Sequence, residues 1–342
     1  MARSEGSQPV MGASDADVAG SPAPSGAQPD QSGAHHHHAS AEAVEQALTE
    51  FADAAKQRAD KVNKRAGRNM LAATGVGLGL LLIVGAALIW FPWGVAVVVA
   101  AAAVGGQIEI AGVLAKRRGV KVVIVPLAVG SGIIVFGAYV LHILHLETVR
   151  FMWPAVFVAW VAGLTAVVVL IWRLRGPIEG YVADVTSTLF LLVYPCLLLS
   201  ALMFVLAQSQ GPAKIAVFVL AVTASDIGGH AVGVLIGKHR MAPRISPGKS
   251  WEGVGGSYLL SIIVVTLLTI FLLHGAWWKG ILLAIVITTA GILGDLVESV
   301  IKRDFGIKDM GTLLPGHGGV MDRIDGYIVA AVPTWLMMIW LF

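Results

Sequence analysis

Nine apolar runs follow one another between residues 70 and 341 of this chain. Each is close to the ~20 residues that an α-helix needs to cross ~30 Å of hydrocarbon. Segments of that length in lipid fold as helices, because their backbone N–H and C=O groups must bond within the segment. The pattern therefore predicts an all-α polytopic membrane protein with about nine transmembrane helices, at 70–90, 92–114, 120–142, 151–173, 186–208, 213–236, 256–274, 278–301 and 320–341.

The composition agrees with this fold class and argues against nucleic-acid binding. Hydrophobic residues make up 56% of the chain and charged residues only 13%, whereas a soluble domain carries about 25% charged residues. The small excess of Lys and Arg is distributed between the apolar runs and forms no single basic patch. We therefore expect membrane lipids, and no nucleic acid, among the partners.

The first 69 residues differ from the rest. Residues 1–40 are rich in Ser, Gly, Ala, Pro and Gln without an apolar period, which predicts a disordered extension. Residues 41–69 have helical apolar spacing and a basic end. They predict either a solvated cytoplasmic helix, which we favour, or an amphipathic helix on an anionic leaflet. Residues 70–342 then form one transmembrane domain.

The distribution of basic residues between the apolar runs predicts the orientation. With the N-terminus inside, the inner loops hold thirteen Lys and Arg residues and the outer loops three. Cytoplasmic loops are enriched in these residues. We expect a multi-pass protein of the cell membrane, with the N-terminus and the long polar loops cytoplasmic and the C-terminus outside.

The main candidate site is the charged segment, residues 295–325, which lies between two apolar runs. Asp295, Glu298, Ser299 and Lys302 are spaced to share one helix face. Asp322 begins the next helix, and two carboxylates on adjacent helices suit Mg²⁺. The less specific interpretation is a salt-bridge network without chemistry. The convergence of acids and bases favours a site, with further candidates at Arg303, His317, Arg323 and Asp325.

Two upstream sets of polar residues also lie at predicted cytoplasmic helix ends. Asp226 is followed by a segment whose Ser246, Lys249 and Ser250 suit phosphate binding, although Ser, Pro and Gly also form ordinary turns. Glu109, in the second run, fits equally well as a site residue or as a satisfied helix-packing residue.

At these residues the sequence resembles the phosphatidate cytidylyltransferases, also called CDP-diacylglycerol synthases. The resemblance covers roughly residues 70–342, including Glu109 and the 226–253 segment. It is most specific in the charged segment, through Ser299, Lys302, Arg303, Lys308, Asp309, Pro315, Gly316, His317, Gly318, Gly319, Asp322, Arg323 and Asp325.

The resemblance implies a reaction of CTP with phosphatidic acid that gives CDP-diacylglycerol and pyrophosphate. It implies Mg²⁺ held by Asp295 and Asp322, with a second cation such as K⁺ as an option, and Asp226 and Asp325 as further ligands or orienting groups. Phosphates would be bound by the basic residues and hydroxyls of the two segments, namely Lys302, Arg303, Arg323, Lys249, Ser246 and Ser250. A homodimer is compatible with the family.

Two alternatives stay open at this point. One is a CTP-dependent enzyme that acts on another lipid phosphate or on a polyprenol. The other is an ion-coupled transporter whose buried acids form a cation path. Such a path would have to continue to the outer face, where the runs carry almost no polar groups.

Overall fold

The computed structural model describes residues 85–143, 152–311 and 318–342, together with Thr49, Gly79 and Leu82. Nearly all of these belong to the unit Ala66–Phe342, to which the account below refers. The predicted extension 1–40 and, apart from Thr49, the predicted helix 41–69 lie outside the described residues. Of the predicted first span, 70–90, the described residues Gly79, Leu82 and 85–90 are helical.

Eight helices in the described part are long and apolar enough to cross a membrane. They correspond one by one to the last eight predicted spans, so the prediction of an all-α polytopic protein is confirmed. These eight spans contain nine α-helices, because one span is divided in two. The α-helices are α1 (Trp93–Arg118), α2 (Ile124–Ile143), α3 (Met152–Arg173), α4 (Tyr181–Leu191), α5 (Leu198–Leu206), α6 (Gly211–Ile236), α7 (Trp251–Phe271), α8 (Trp277–Asp304) and α9 (Met321–Leu341).

One span is made of two helices. A π-helical turn, Leu192–Leu197, joins α4 to α5, and Pro195 lies inside it. Proline has no N–H to give to the preceding turn, and a wider turn accommodates this loss. The turn packs against α1, with Pro195 close to Gly106.

The sequence prediction missed a small β-hairpin. Strands β1 (Arg240–Ala242) and β2 (Ser246–Ser250) pair antiparallel between α6 and α7, with Arg240 opposite Ser250 and Ala242 opposite Ser246. Ser250 then caps α7, because its Oγ accepts a hydrogen bond from Gly253 N at 3.1 Å. The cap starts α7 five residues before the predicted span, in a polar first turn that hydrophobicity does not reveal.

Helices α6 to α9 pack in sequence, and α9 also contacts α1 and α5. Glycine permits the closest approach between α6 and α7, where a Cβ on Gly228 would lie 2.4 Å from Gly256 O. Similarly, a Cβ on Gly294 of α8 would lie 2.5 Å from Asp325 O of α9. These contacts bring the polar ends of four helices to one side of the bundle, which we call the site face. Arg118 at the end of α1 also lies there, paired with Asp304 of α8 at 3.0 Å.

Candidate active site

The end of α8 supplies a face of ionisable side chains, as predicted from their spacing. Ser299 Oγ donates to Asp295 Oδ1 at 3.4 Å. One turn further on, Lys302 forms an ion pair with Glu298, which is completely buried. A buried carboxylate needs such a partner, because its desolvation is costly. Glu298 is therefore part of the site, although the sequence analysis gave it no role; its i, i+4 spacing to Lys302 was the available signal.

Lys302 also connects α8 to the start of α9. Its Nζ lies 2.8 Å from Asp322 Oδ1. The other oxygen, Asp322 Oδ2, accepts hydrogen bonds from Met310 N at 3.0 Å and Gly319 N at 2.8 Å. The Asp322 carboxylate thus has three donors, two of which are backbone N–H groups that precede α9 in the chain.

Glu109 of α1 holds the N-terminus of α9. Its Oε1 accepts from Val320 N at 2.8 Å, and its Oε2 accepts from Met321 N at 2.9 Å. The first N–H groups of a helix lack partners within the helix, so a carboxylate there satisfies two of them and interacts favourably with the helix dipole. Both oxygens are used in packing α1 against α9, which agrees with the interpretation of Glu109 as a satisfied helix-packing residue. A direct role in substrate binding stays a prediction.

The hairpin segment also contacts the charged end of α8. Lys249 Nζ lies 2.7 Å from Asp295 Oδ2. Arg303 donates from Nε to Ile245 O at 3.2 Å and from Nη1 to Ile307 O at 3.3 Å. The structure thus brings the two polar segments together, with Ser250 at the start of α7 and Ser246 at the start of β2.

Three carboxylates of the site face interact electrostatically. Asp226 of α6 is repelled by Asp295 and attracted by Lys249 and Arg323. Asp325 of α9 is repelled by both Asp295 and Asp226. Such a cluster is unfavourable at membrane depth unless cations neutralise it. The structure therefore confirms that Asp226 and Asp325 lie near Asp295; His317 lies outside the described residues.

The donor set fits a divalent cation at Asp295 more readily than at Asp322. Within the described residues, no three His, Cys, Asp or Glu side chains form a ready-made metal site. Mg²⁺ does not require one, since it is commonly held by one or two carboxylates together with substrate phosphates. Asp295 is 42% exposed and has two carboxylates as neighbours. A metal would have to displace Lys249 from Asp295 Oδ2 or Lys302 from Asp322 Oδ1. Both oxygens of Asp322 already accept short hydrogen bonds, whereas Asp295 Oδ1 has only the 3.4 Å contact with Ser299. The role of either residue as a metal ligand stays a prediction.

The fold and the site define a polytopic membrane protein with a cluster of carboxylates and basic side chains at one end of its helices. The chain matches the model of the cytidylyltransferase family over residues 72–342, and it belongs to that family. It is 38% identical over 299 residues to the phosphatidate cytidylyltransferase of Mycobacterium bovis, covering 83% of this chain and 93% of the relative. The enzyme of the same name from Mycobacterium leprae is 37% identical over 302 residues, which cover 83% and 92%. The one from Haemophilus influenzae is 39% identical over 165 residues, which cover 47% and 49%.

Proposed function

We propose that this chain transfers CMP from CTP to phosphatidic acid, giving CDP-diacylglycerol and pyrophosphate for phospholipid synthesis. A phosphate oxygen of the lipid attacks the α-phosphorus of CTP, and the bond from that phosphorus to the bridging oxygen of pyrophosphate breaks. The observation that carries the proposal is the convergence of carboxylates and cations from α6, β2, α8 and α9 at the ends of membrane-spanning helices. Membership of the cytidylyltransferase family and the names of its relatives support the same reaction.

The residues of the site have the properties that phosphoryl transfer needs. Such a transfer depends on positioning and on neutralising charge more than on a protein nucleophile. Lys249, Lys302 and Arg303 are held by contacts to α8, α9 and the hairpin, and their fixed charges support binding of a triphosphate. The acyl chains of the lipid lie along the apolar helix surfaces, with the head group at the site face.

Mg²⁺ belongs to this proposal, held by Asp295 together with Asp322 or its neighbours Asp226 and Asp325. When bound, a divalent cation neutralises charge on the triphosphate and polarises its phosphoryl oxygens. A second cation such as K⁺ is compatible with the cluster of three acidic side chains, Asp226, Asp295 and Asp325. The proposal includes a location in the cell membrane with the site face cytoplasmic, where CTP is available. A homodimer stays a prediction, and all the site contacts described here lie within one chain.

The ion-coupled transporter is disfavoured by the distribution of acids. In α6 to α9, every Asp and Glu lies in the half of the helix nearest the site face. A cation path needs polar groups across the whole membrane. The names of the relatives favour phosphatidic acid over other lipid acceptors.

The decisive experiment is CTP turnover on phosphatidic acid by the purified chain, with and without Mg²⁺. We expect Mg²⁺-dependent formation of CDP-lipid and pyrophosphate in equal amounts. Asp295→Asn is expected to lower kcat/KM at least about a hundredfold, as for loss of one preorganised electrostatic group. Asp304→Asn is the matched control, because Asp304 is on the same helix but is 64% exposed and pairs with Arg118.

The outcomes separate the reaction from the residue assignments. If the wild-type chain makes no CDP-lipid, the proposed reaction is wrong. If the reaction proceeds but Asp322→Asn retains wild-type turnover and Mg²⁺ dependence, Asp322 is not a metal ligand, and its contact with Lys302 is structural.

A further inference from the structure

A second polar region lies on the site face, at the connections α1–α2 and α3–α4. None of its residues is among those proposed to take part in the reaction. The two connections are tied together by Asp184 of α4, which is almost completely buried. Its Oδ2 accepts from Arg173 Nε at 2.7 Å, and its Oδ1 accepts from the backbone N–H of Lys121 at 2.7 Å.

Arg173 makes the region rigid. Beyond Asp184, it donates from Nη1 to Pro177 O at 2.6 Å and from Nη2 to Glu179 O at 3.1 Å. These bonds fix the loop between α3 and α4 through its backbone. Arg173 is itself buried, and each of its three guanidinium nitrogens donates one of these hydrogen bonds. The bonds hold the loop between α3 and α4 in place, while other cations of the region face outward.

A cavity of about 390 Å³ lies between the two connections. One wall is apolar and is formed by the stretch 122–126 and by Trp172. Two exposed cations, Lys121 and Arg175, also line it. The Arg175 guanidinium lies 4.6 Å from the centre of the Trp172 ring, a cation–π arrangement that holds the charge at the edge of the apolar wall.

The side chains around this cavity place it at the boundary between lipid and water. Val125 is 61% exposed and Trp172 is 46% exposed, so both offer surface to acyl chains. Trp is enriched at membrane interfaces, and basic residues there attract anionic lipid head groups. The pair Arg118–Asp304 puts the α1–α2 connection at the same membrane face as the end of α8.

We infer that this cavity is an accessory binding site for an anionic phospholipid of the surrounding leaflet. The phosphate of the head group pairs with Lys121 and Arg175, and the upper acyl chain lies on Val125, Pro126 and Trp172. The charge complementarity selects an anionic lipid over a zwitterionic one. The inference does not depend on the proposed reaction, since none of these residues belongs to the candidate active site.

The test uses the full chain in nanodiscs of phosphatidylcholine that contain a photoactivatable phosphatidylglycerol as the probe. We expect crosslinks in peptides that contain residues 121–126 and 172–177. In native mass spectrometry, each cation near the surface contributes a factor of about five to retention of an anionic lipid, so Lys121→Gln/Arg175→Gln loses about 30-fold. Lys116→Gln/Arg117→Gln removes the same charge from exposed positions of α1 and is expected to keep the wild-type preference.

Two results would overturn the inference. One is crosslinking of the wild-type chain that misses both peptides. The other is an equal loss of phosphatidylglycerol retention in the two double variants, which would show general charge attraction without a site. The crosslinking arm needs no variant, so it decides the matter even if a double variant fails to fold.

Discussion

Replacing Glu109 by Gln tests how the start of α9, and with it Asp322, is held in place. The carboxylate accepts one hydrogen bond at each oxygen, from Val320 N and Met321 N. A glutamine has the same shape but only one acceptor oxygen and no charge, so one helix N–H loses its acceptor and the other keeps only a neutral one. Loss of a hydrogen bond to a charged group costs about 1.5–3 kcal/mol, and loss of negative charge at a helix N-terminus costs about 0.3–1 kcal/mol.

Together these terms weaken the start of α9 by about 2–4 kcal/mol, which increases its local opening at least about 30-fold. The direct measurement is amide hydrogen exchange at residues 319–323 of the purified protein. Because Asp322 lies in the same turn, we also expect turnover of CTP to fall. Glu179→Gln is the control, since Glu179 is exposed and the structure uses only its backbone carbonyl.

The opposite pattern would refute this reasoning. If Glu109→Gln lowers turnover while exchange at residues 319–323 stays at the wild-type rate, the carboxylate acts on substrate and does not hold the helix. If neither quantity changes, the two hydrogen bonds contribute nothing measurable to the site.

Three further predictions concern packing and charge. Asp184→Ala leaves buried Arg173 without its counter-charge and is expected to destabilise the protein by about 3–5 kcal/mol, measured as a lower thermal midpoint in detergent; an unchanged midpoint would contradict this. Gly228→Val places a side chain against Gly256 O, and we expect this overpacking to lower the free energy of unfolding by about 1–3 kcal/mol. The measurement is thermal stability, and a wild-type value would contradict the prediction. Lys302→Met leaves two acidic neighbours without their shared cation, so we expect both thermal stability and CTP turnover to fall, and retention of full turnover would remove Lys302 from the site.

Much of the candidate site could be predicted from the sequence, because it depends on local spacing. Asp295, Glu298, Ser299 and Lys302 share a face through helical periodicity alone. The contacts Ser299–Asp295 and Lys302–Glu298 in the structure agree with that face. The hydroxyl and lysine pattern of the hairpin segment was also visible in the sequence, although the strands themselves were not.

The pairing between distant residues could not be predicted in this way. Glu109 meets the start of α9 across more than two hundred residues of chain, and spacing in the sequence has no bearing on that contact. The same holds for Asp184, which the sequence analysis did not single out. Its role as the buried partner of Arg173 depends on how α3 and α4 turn back on each other.

The amino-acid sequence by itself determined that this chain forms membrane-spanning helices, since the cost of unpaired backbone groups in lipid leaves no other structure for such apolar runs. It also determined which ends of the helices carry charge. Only the tertiary structure decided which charges meet between different elements: Lys302 of α8 pairs with Asp322 of α9, and Lys249 of the hairpin pairs with Asp295 of α8. The physical reason is that helix packing, permitted by close approaches such as Gly294 against Asp325 O, sets distances between side chains that no local pattern encodes.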